Sequence, residues 1–358
     1  MPYSLLLALA AAAIALAGTP LARALAIRLG AIDMPDARRI HALPTPRLGG
    51  LAIAAGILLT AWISRVLPGP AGQLDPRPLL GLTCAAGPIL ALGIADDRRS
   101  VGPWVKLVVQ ACAAMALVVF GYGIPLLTNP FGAAFVPPVW LNVALTVLWV
   151  ILVTNAINLV DGLDGLAAGV VAIACVSLWI VARMHADFYV MFFASLLIGA
   201  CAGFLRWNFP PASVFMGDTG SQFLGLTLAA LSLLDNRKGT AAVTLLLPLV
   251  ALALPLADSV LAFVRRAVAR QHVFRGDTQH VHHQLLAIGL SPRGALFAMW
   301  GLSATFALVA VLIESAGRAW IPLLVTVLGA VLFVTFELLR ALRPGSAHGA
   351  ARRGARRH

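Results

Sequence analysis

From Leu107 to Val160 the chain carries no charged side chain. A helix of about 20 apolar residues crosses the hydrocarbon core of a bilayer, so a run of this length must cross more than once and turn without the help of charge. Pro125, Pro130, Pro137 and Pro138 are the residues able to break it. The same texture extends along the chain: 60% of its 358 residues are hydrophobic and 11% charged, with mean hydropathy +0.92. That composition excludes an ordinary soluble domain and predicts an all-α, polytopic membrane protein.

Uncharged runs of bilayer length predict about eleven transmembrane helices, near Leu5–Pro20, Leu48–Ser64, Leu79–Ala95, Leu107–Gly123, Val139–Ala156, Leu166–Ala182, Phe188–Leu205, Gly220–Leu234, Thr240–Val264, Gly294–Ile313 and Ala319–Phe336. They form one integral membrane domain over residues 1–340, followed by a basic, disordered tail over 341–358. With this count, all but six of the 26 Lys and Arg fall on one side; the six are Arg65, Arg77, Arg183, Arg237, Lys238 and Arg318. The positive-inside rule makes the richer side cytoplasmic, with the N-terminus outside and the C-terminus inside. Met1–Ser4 has no basic residue, so the first span reads as an uncleaved helix rather than a signal peptide. The net charge of +12 then reflects topology and attraction to anionic lipid, not nucleic acid. Cys84, Cys112, Cys175 and Cys201 fall inside spans without metal-type spacing and read as small core residues.

Four polar clusters interrupt this pattern, all on the predicted cytoplasmic face. An ionisable group at a membrane helix centre costs roughly 2.5–3.5 kcal/mol on insertion scales, so such clusters mark function. Asp96 and Asp97 are adjacent and precede Arg98, Arg99 and Lys106; they form either a metal or phosphate site or a helix end paired to its own arginines. In NLVDGLDG, Asn158, Asp161 and Asp164 recur every three residues and would share a helical face. Oxygen ligands without Cys suit a hard cation such as Mg²⁺, a polar helix cap being the alternative. FMGDTGS sets Asp218 between glycines, where a helix N-terminus suits phosphate and Asp218 a metal; a plain Asp N-cap is the simpler reading. His280, His282 and His283, near Arg275 and Arg293, fit a pyrophosphate better than Zn²⁺ or a solvated loop. Asp258, inside a span, is either structural or part of a proton path.

In this order, and with the loop DMPDARRIHALPTPRLGG (Asp33–Gly50), these motifs resemble the polyprenyl-phosphate N-acetylhexosamine-1-phosphate transferases, in the branch that uses UDP-GlcNAc. The resemblance implies transfer of an N-acetylhexosamine 1-phosphate, GlcNAc-1-phosphate first among them, from a UDP-N-acetylhexosamine to undecaprenyl phosphate. UMP leaves, and synthesis of a lipid-linked cell-envelope glycan begins at the bacterial inner membrane. It implies Mg²⁺, with Mn²⁺ as the alternative ion, on Asp218 and Asn158. Asp161, Asp164, Asn208 and Phe215 would contact the nucleoside, Phe215 as a ring beneath uracil. Lys106, His280, His282 and His283 would hold phosphates, with Arg38, Arg39 and His41 at the mouth, and Asp96 or Asp97 would orient or deprotonate the lipid phosphate. Dimers are common among membrane enzymes of this resemblance. The phospho-MurNAc-pentapeptide translocases are the runner-up branch. A secondary transporter is the alternative from another class, but its polar residues should lie near the midplane within paired half-repeats.

Overall fold

The computed structural model describes residues 2–34, 43–124, 135–235 and 281–316, with a few positions between 326 and 333. Ten α-helices run through them: α1 (Pro2–Leu29), α2 (Gly50–Val66), α3 (Arg77–Arg98), α4 (Pro103–Val119), α5 (Val139–Val160), α6 (Leu166–Met184), α7 (Phe188–Asn208), α8 (Gly217–Asp235), the short α9 (Val281–Ala287) and α10 (Pro292–Ala316). Nine of the eleven expected spans thus fall on helices. The span at Thr240–Val264, most of that at Ala319–Phe336, Asp258 and the tail lie outside the described residues. Among those described, six helices are long and apolar enough to cross a membrane: α1, α3, α5, α6, α7 and α10. The chain is a multi-pass membrane protein. α2 and α4 are apolar but shorter, and α8 opens with Asp218, Thr219, Ser221 and Gln222 before its apolar run begins.

The all-α expectation needs one amendment. Ile32–Asp33 (β1) pairs antiparallel with Thr45–Pro46 (β2), a two-stranded ribbon between α1 and α2. The first span also extends further than expected, because Pro20 does not end it. A proline leaves the carbonyl four residues before it without its helical donor. In α1 that carbonyl is Leu16 O, and the indole Nε1–H of Trp207 on α7 donates to it at 3.0 Å. A neighbouring helix thus supplies the missing bond, as membrane helices require.

α1 and α7 approach so closely that a Cβ on Gly199 or Gly203 would lie 2.0 or 2.2 Å from the carbonyl oxygens of Ala8 and Ala12. Lipid gives apolar helices no hydrophobic reason to associate, so small residues that let backbones touch supply the packing. α7 is started by Asp187, whose carboxylate caps the N–H groups of Tyr189 and Val190. α8 is the centre of the bundle, packed against α2, α3, α5, α6 and α7, and buried from Thr219 to Leu234. The ends of α3, α5 and α7 and the starts of α4 and α8 meet at one end, so the motifs of Asp96, Asn158 and Asp218 converge there.

Candidate active site

The first turn of α8 is fixed from outside the helix. Gly217 has φ +70°, and a Cβ there would lie 2.2 Å from Arg47 O and 2.5 Å from Asp97 Oδ2. Asp97, 6% exposed, accepts the N–H groups of Asp218 (2.9 Å) and Thr219 (3.0 Å) and the Thr219 hydroxyl (2.7 Å). Asp97 therefore caps α8 in trans. This corrects two expectations. Two of the α8 amides read as a phosphate cradle, those of Asp218 and Thr219, are already engaged by a carboxylate. Asp218 is not the N-cap but a residue of the first turn, which leaves its carboxylate directed at Lys106.

Lys106, at the start of α4, places Nζ 2.6 Å from Asp96 Oδ2 and 2.6 Å from Asp218 Oδ2. Asp96 Oδ1 also takes the Val101 N–H at 2.6 Å. One ammonium thus offsets two carboxylates that would otherwise repel. The alternative of aspartates paired to their own arginines loses its partner at Arg98, whose Nε donates instead to Leu29 O at 3.1 Å. Asn158 Nδ2 donates to Ser221 Oγ at 2.9 Å, which makes its Oδ1 the atom with ligand character. Among the described residues no three His, Cys, Asp or Glu side chains group closely enough to hold a metal alone. Asp218 and Asn158 offer a carboxylate and an amide oxygen, a hard donor set of the kind Mg²⁺ takes alongside water and substrate phosphate.

In front of Asp218 lies a cleft of about 870 Å³, lined by Asn158, Asp161, Asp164, Asn208, Phe215 and Asp218 among others. Its volume is that of a site for a nucleotide-sized ligand. The three-residue spacing of NLVDGLDG does not make one helical face: α5 stops at Val160, and the acids stand on the turn before α6. Asp164 Oδ2 accepts the Ala212 N–H at 2.9 Å. Asn208, 3% exposed, accepts from Gly165 N–H (2.9 Å) and donates to Val214 O (3.0 Å). Its amide clamps two loops together and also lines the cleft, so it positions the wall on which the nucleoside contact is expected. Phe215 is tied by its backbone to Pro46 O and to Gly49 N–H, and its half-buried side chain faces the cleft. The Asp161 carboxyl is pushed well above the ordinary carboxylate range by loss of solvation and by the charges of Asp218 and Asp97.

Arg38, Arg39, His41 and His280, with the side chains of His282 and His283, lie outside the described residues. The structure adds Arg47, Asp33 and Thr45 to the cleft and brings Arg293, expected beside the histidines, to the same place. Behind it, Asn155 Nδ2 donates to Gln110 Oε1 (2.8 Å), Gln110 to Gln222 (3.3 Å), and Gln222 to Asp218 (3.4 Å). The signal that could reveal Gln110 is its polarity inside an uncharged run. Arg47 lay within a quoted motif but was read only as a topogenic charge.

Known proteins match along most of this arrangement. The glycosyl transferase family 4 pattern matches residues 79–236, which include Asp96, Lys106, Asp161 and Asp218. The chain is 35% identical over 312 residues to a probable undecaprenyl-phosphate N-acetylglucosaminyl 1-phosphate transferase of Bacillus subtilis, covering 86% of this chain and 84% of that protein. It is 34% identical to the decaprenyl-phosphate N-acetylglucosaminephosphotransferase of Mycolicibacterium smegmatis, over 94% and 88% of the two chains. With the undecaprenyl-phosphate alpha-N-acetylglucosaminyl 1-phosphate transferase of Escherichia coli (strain K12) the identity is 27%, over 82% and 79%.

Proposed function

This chain belongs to glycosyl transferase family 4, and from that premise we propose that it transfers N-acetylglucosamine 1-phosphate from UDP-N-acetylglucosamine to undecaprenyl phosphate. A phosphate oxygen of the lipid attacks the β-phosphorus of the nucleotide sugar, the bond from that phosphorus to the UMP oxygen breaks, and polyprenyl-diphosphoryl-N-acetylglucosamine and UMP result. The observation that carries the reading is the Asp96–Lys106–Asp218 cluster at the back of a cleft lined by Phe215, Asp161 and Asn158. The relatives named for N-acetylglucosamine favour this branch over the MurNAc-pentapeptide translocases. The position of the cluster at one end of the bundle fits a transporter poorly.

Phosphoryl transfer asks the protein chiefly to position groups and offset charge. Phe215 supplies an apolar face for the base, and the turn carrying Asp161 and Asp164 faces the nucleoside. Lys106, held between Asp96 and Asp218, is a fixed positive charge near the transferring phosphoryl. Asp97 keeps Asp218 in register. Asp218 and Asn158 would hold Mg²⁺, which when bound neutralises phosphate charge in the transition state. The polar end then faces the cytoplasm, where UDP-sugars are available, and the basic loops agree with that orientation. Eleven spans and a homodimer complete the proposed arrangement.

The test is UMP release by the purified, detergent-solubilised protein. Release should require UDP-N-acetylglucosamine, added polyprenyl phosphate and Mg²⁺ together, and EDTA should abolish it. Release without the lipid, or full turnover in EDTA, contradicts the proposal. Cysteine labelling should place Arg98, Asp161 and Asp218 on the cytoplasmic side, with Arg77 and Arg183 opposite.

A further inference from the structure

Arg47 follows the β2 strand of the ribbon and lines the same cleft as the turn that carries Asp161 and Asp164. Its backbone is fixed at several points: Arg47 N–H donates to Ala31 O at 3.0 Å, the adjacent Pro46 O takes the Phe215 N–H at 2.8 Å, and Arg47 O abuts Gly217. The side chain is held more loosely. Its NH2 lies 3.6 Å from Asp33 Oδ2, beyond a good hydrogen bond, and it is 33% exposed, whereas Asp33 is buried. Among the described lining residues Arg47 and Arg293 are the two cations. Arg293 directs its Nε to Pro210 O at 3.0 Å and lies over the Phe209 ring. Arg47 is therefore the guanidinium both firmly rooted and turned toward the volume a ligand would fill. A planar fork of N–H donors matches phosphate oxygens in pairs.

We propose that Arg47 is a substrate-binding residue that grips the pyrophosphate of the nucleotide-sugar donor, exchanging its loose contact with Asp33 for phosphate oxygens. The proposal rests on the donor reading above. It selects the donor over the lipid phosphate because Arg47 shares its cleft with Phe215 and Asp161. The Asp96–Lys106 pair lies behind Asp218 and does not line that cleft. Arg47 complements Asp218, whose neighbour Gly217 its backbone abuts: a loosely held cation for phosphate beside a carboxylate for a metal.

The test uses the full-length protein in detergent and compares binding of UDP and of uridine by calorimetry, with no turnover required. Arg47→Gln should weaken UDP binding about 10- to 100-fold, the range expected for losing charge-assisted hydrogen bonds, and leave uridine binding unchanged. Arg47→Lys should retain part of the UDP affinity. Asp33→Asn removes the competing carboxylate and should keep or raise it, which provides a second arm should Arg47→Gln fail to fold. In turnover, KM for UDP-N-acetylglucosamine should rise in Arg47→Gln while KM for polyprenyl phosphate stays constant. Equal losses for UDP and uridine, a loss in Asp33→Asn as large as in Arg47→Gln, or a rise confined to the lipid KM would each overturn the proposal. Arg47-dependent UDP binding without sugar-phosphate transfer would sink the donor reaction and leave the Arg47 site standing. Normal transfer with UDP affinity unchanged in Arg47→Gln would do the reverse.

Discussion

The α1–α7 seam and the junction of α2, α3 and α8 are built by the same device and put to different ends. In both, a glycine lets two backbones touch: Gly199 and Gly203 against Ala8 and Ala12 in the seam, Gly50 and Gly93 against Gly220 and Thr219 in the junction, where a Cβ would come within 2.3 Å. In the seam the contact is the whole result, since small residues only increase packing. In the junction the closeness brings Asp97 onto the α8 amides and so sets the direction of Asp218. Close packing in one region is scaffold; in the other it delivers chemistry.

If that division is correct, substitutions should separate activity from stability according to region. The largest effect belongs to Asp218→Asn. It should reduce kcat by about a thousandfold or more, because several kcal/mol of charge stabilisation depend on a correctly charged metal ligand. Its thermal midpoint in detergent should stay near that of the wild type, and near-normal turnover at saturating Mg²⁺ would refute the assignment. Asp97→Ala should lose both properties together. It leaves three donors without their carboxylate, and each hydrogen bond to a charged group contributes about 1.5–3 kcal/mol. A stable, inactive Asp97→Ala protein would mean that Asp97 reacts rather than caps.

Overpacking the seam should produce the opposite pattern. Gly203→Val should cost about 1–3 kcal/mol of stability while leaving kcat per folded molecule unchanged. Loss of kcat at full stability would erase the distinction between the regions. The smallest expected effect is a gain. Because the folded protein raises the Asp161 carboxyl pKa, it binds that proton more tightly than the unfolded chain does, and charging the group works against the fold. The penalty is absent below the unfolded value of about 3.9 and grows as pH rises above it. Asp161→Asn should therefore raise the thermal midpoint at neutral pH and give no gain near pH 3. A midpoint raised equally at both pH values would exclude this cause.

The membrane class was legible because burial in lipid imposes a long apolar run that needs no tertiary context. Helix ends were less so: Pro20 reads as a stop in sequence, and the Trp207 indole, from a helix far along the chain, removes the reason to stop. The site was legible as a set of motifs but not as a division of labour. Asp96 and Asp97 are indistinguishable in sequence, and what separates them is the direction successive side chains take from α3, one toward Lys106 and one toward Thr219. The resemblance gives Asn208 a nucleoside contact, but its structural bonds to Gly165 N–H and Val214 O are to backbone groups that carry no sequence signature. Arg47 was obscured because a basic residue in a loop already had an explanation in topology.

The central claim is that the cleft before Asp218 transfers a phosphosugar and not a sugar alone. Position-specific labelling of UDP-N-acetylglucosamine decides it. With ³²P in the β-phosphate, the wild-type protein should carry the label into the lipid product and release unlabelled UMP, while Asp218→Asn should do neither. Label recovered in UDP, or a lipid product bearing the sugar without it, would contradict the account.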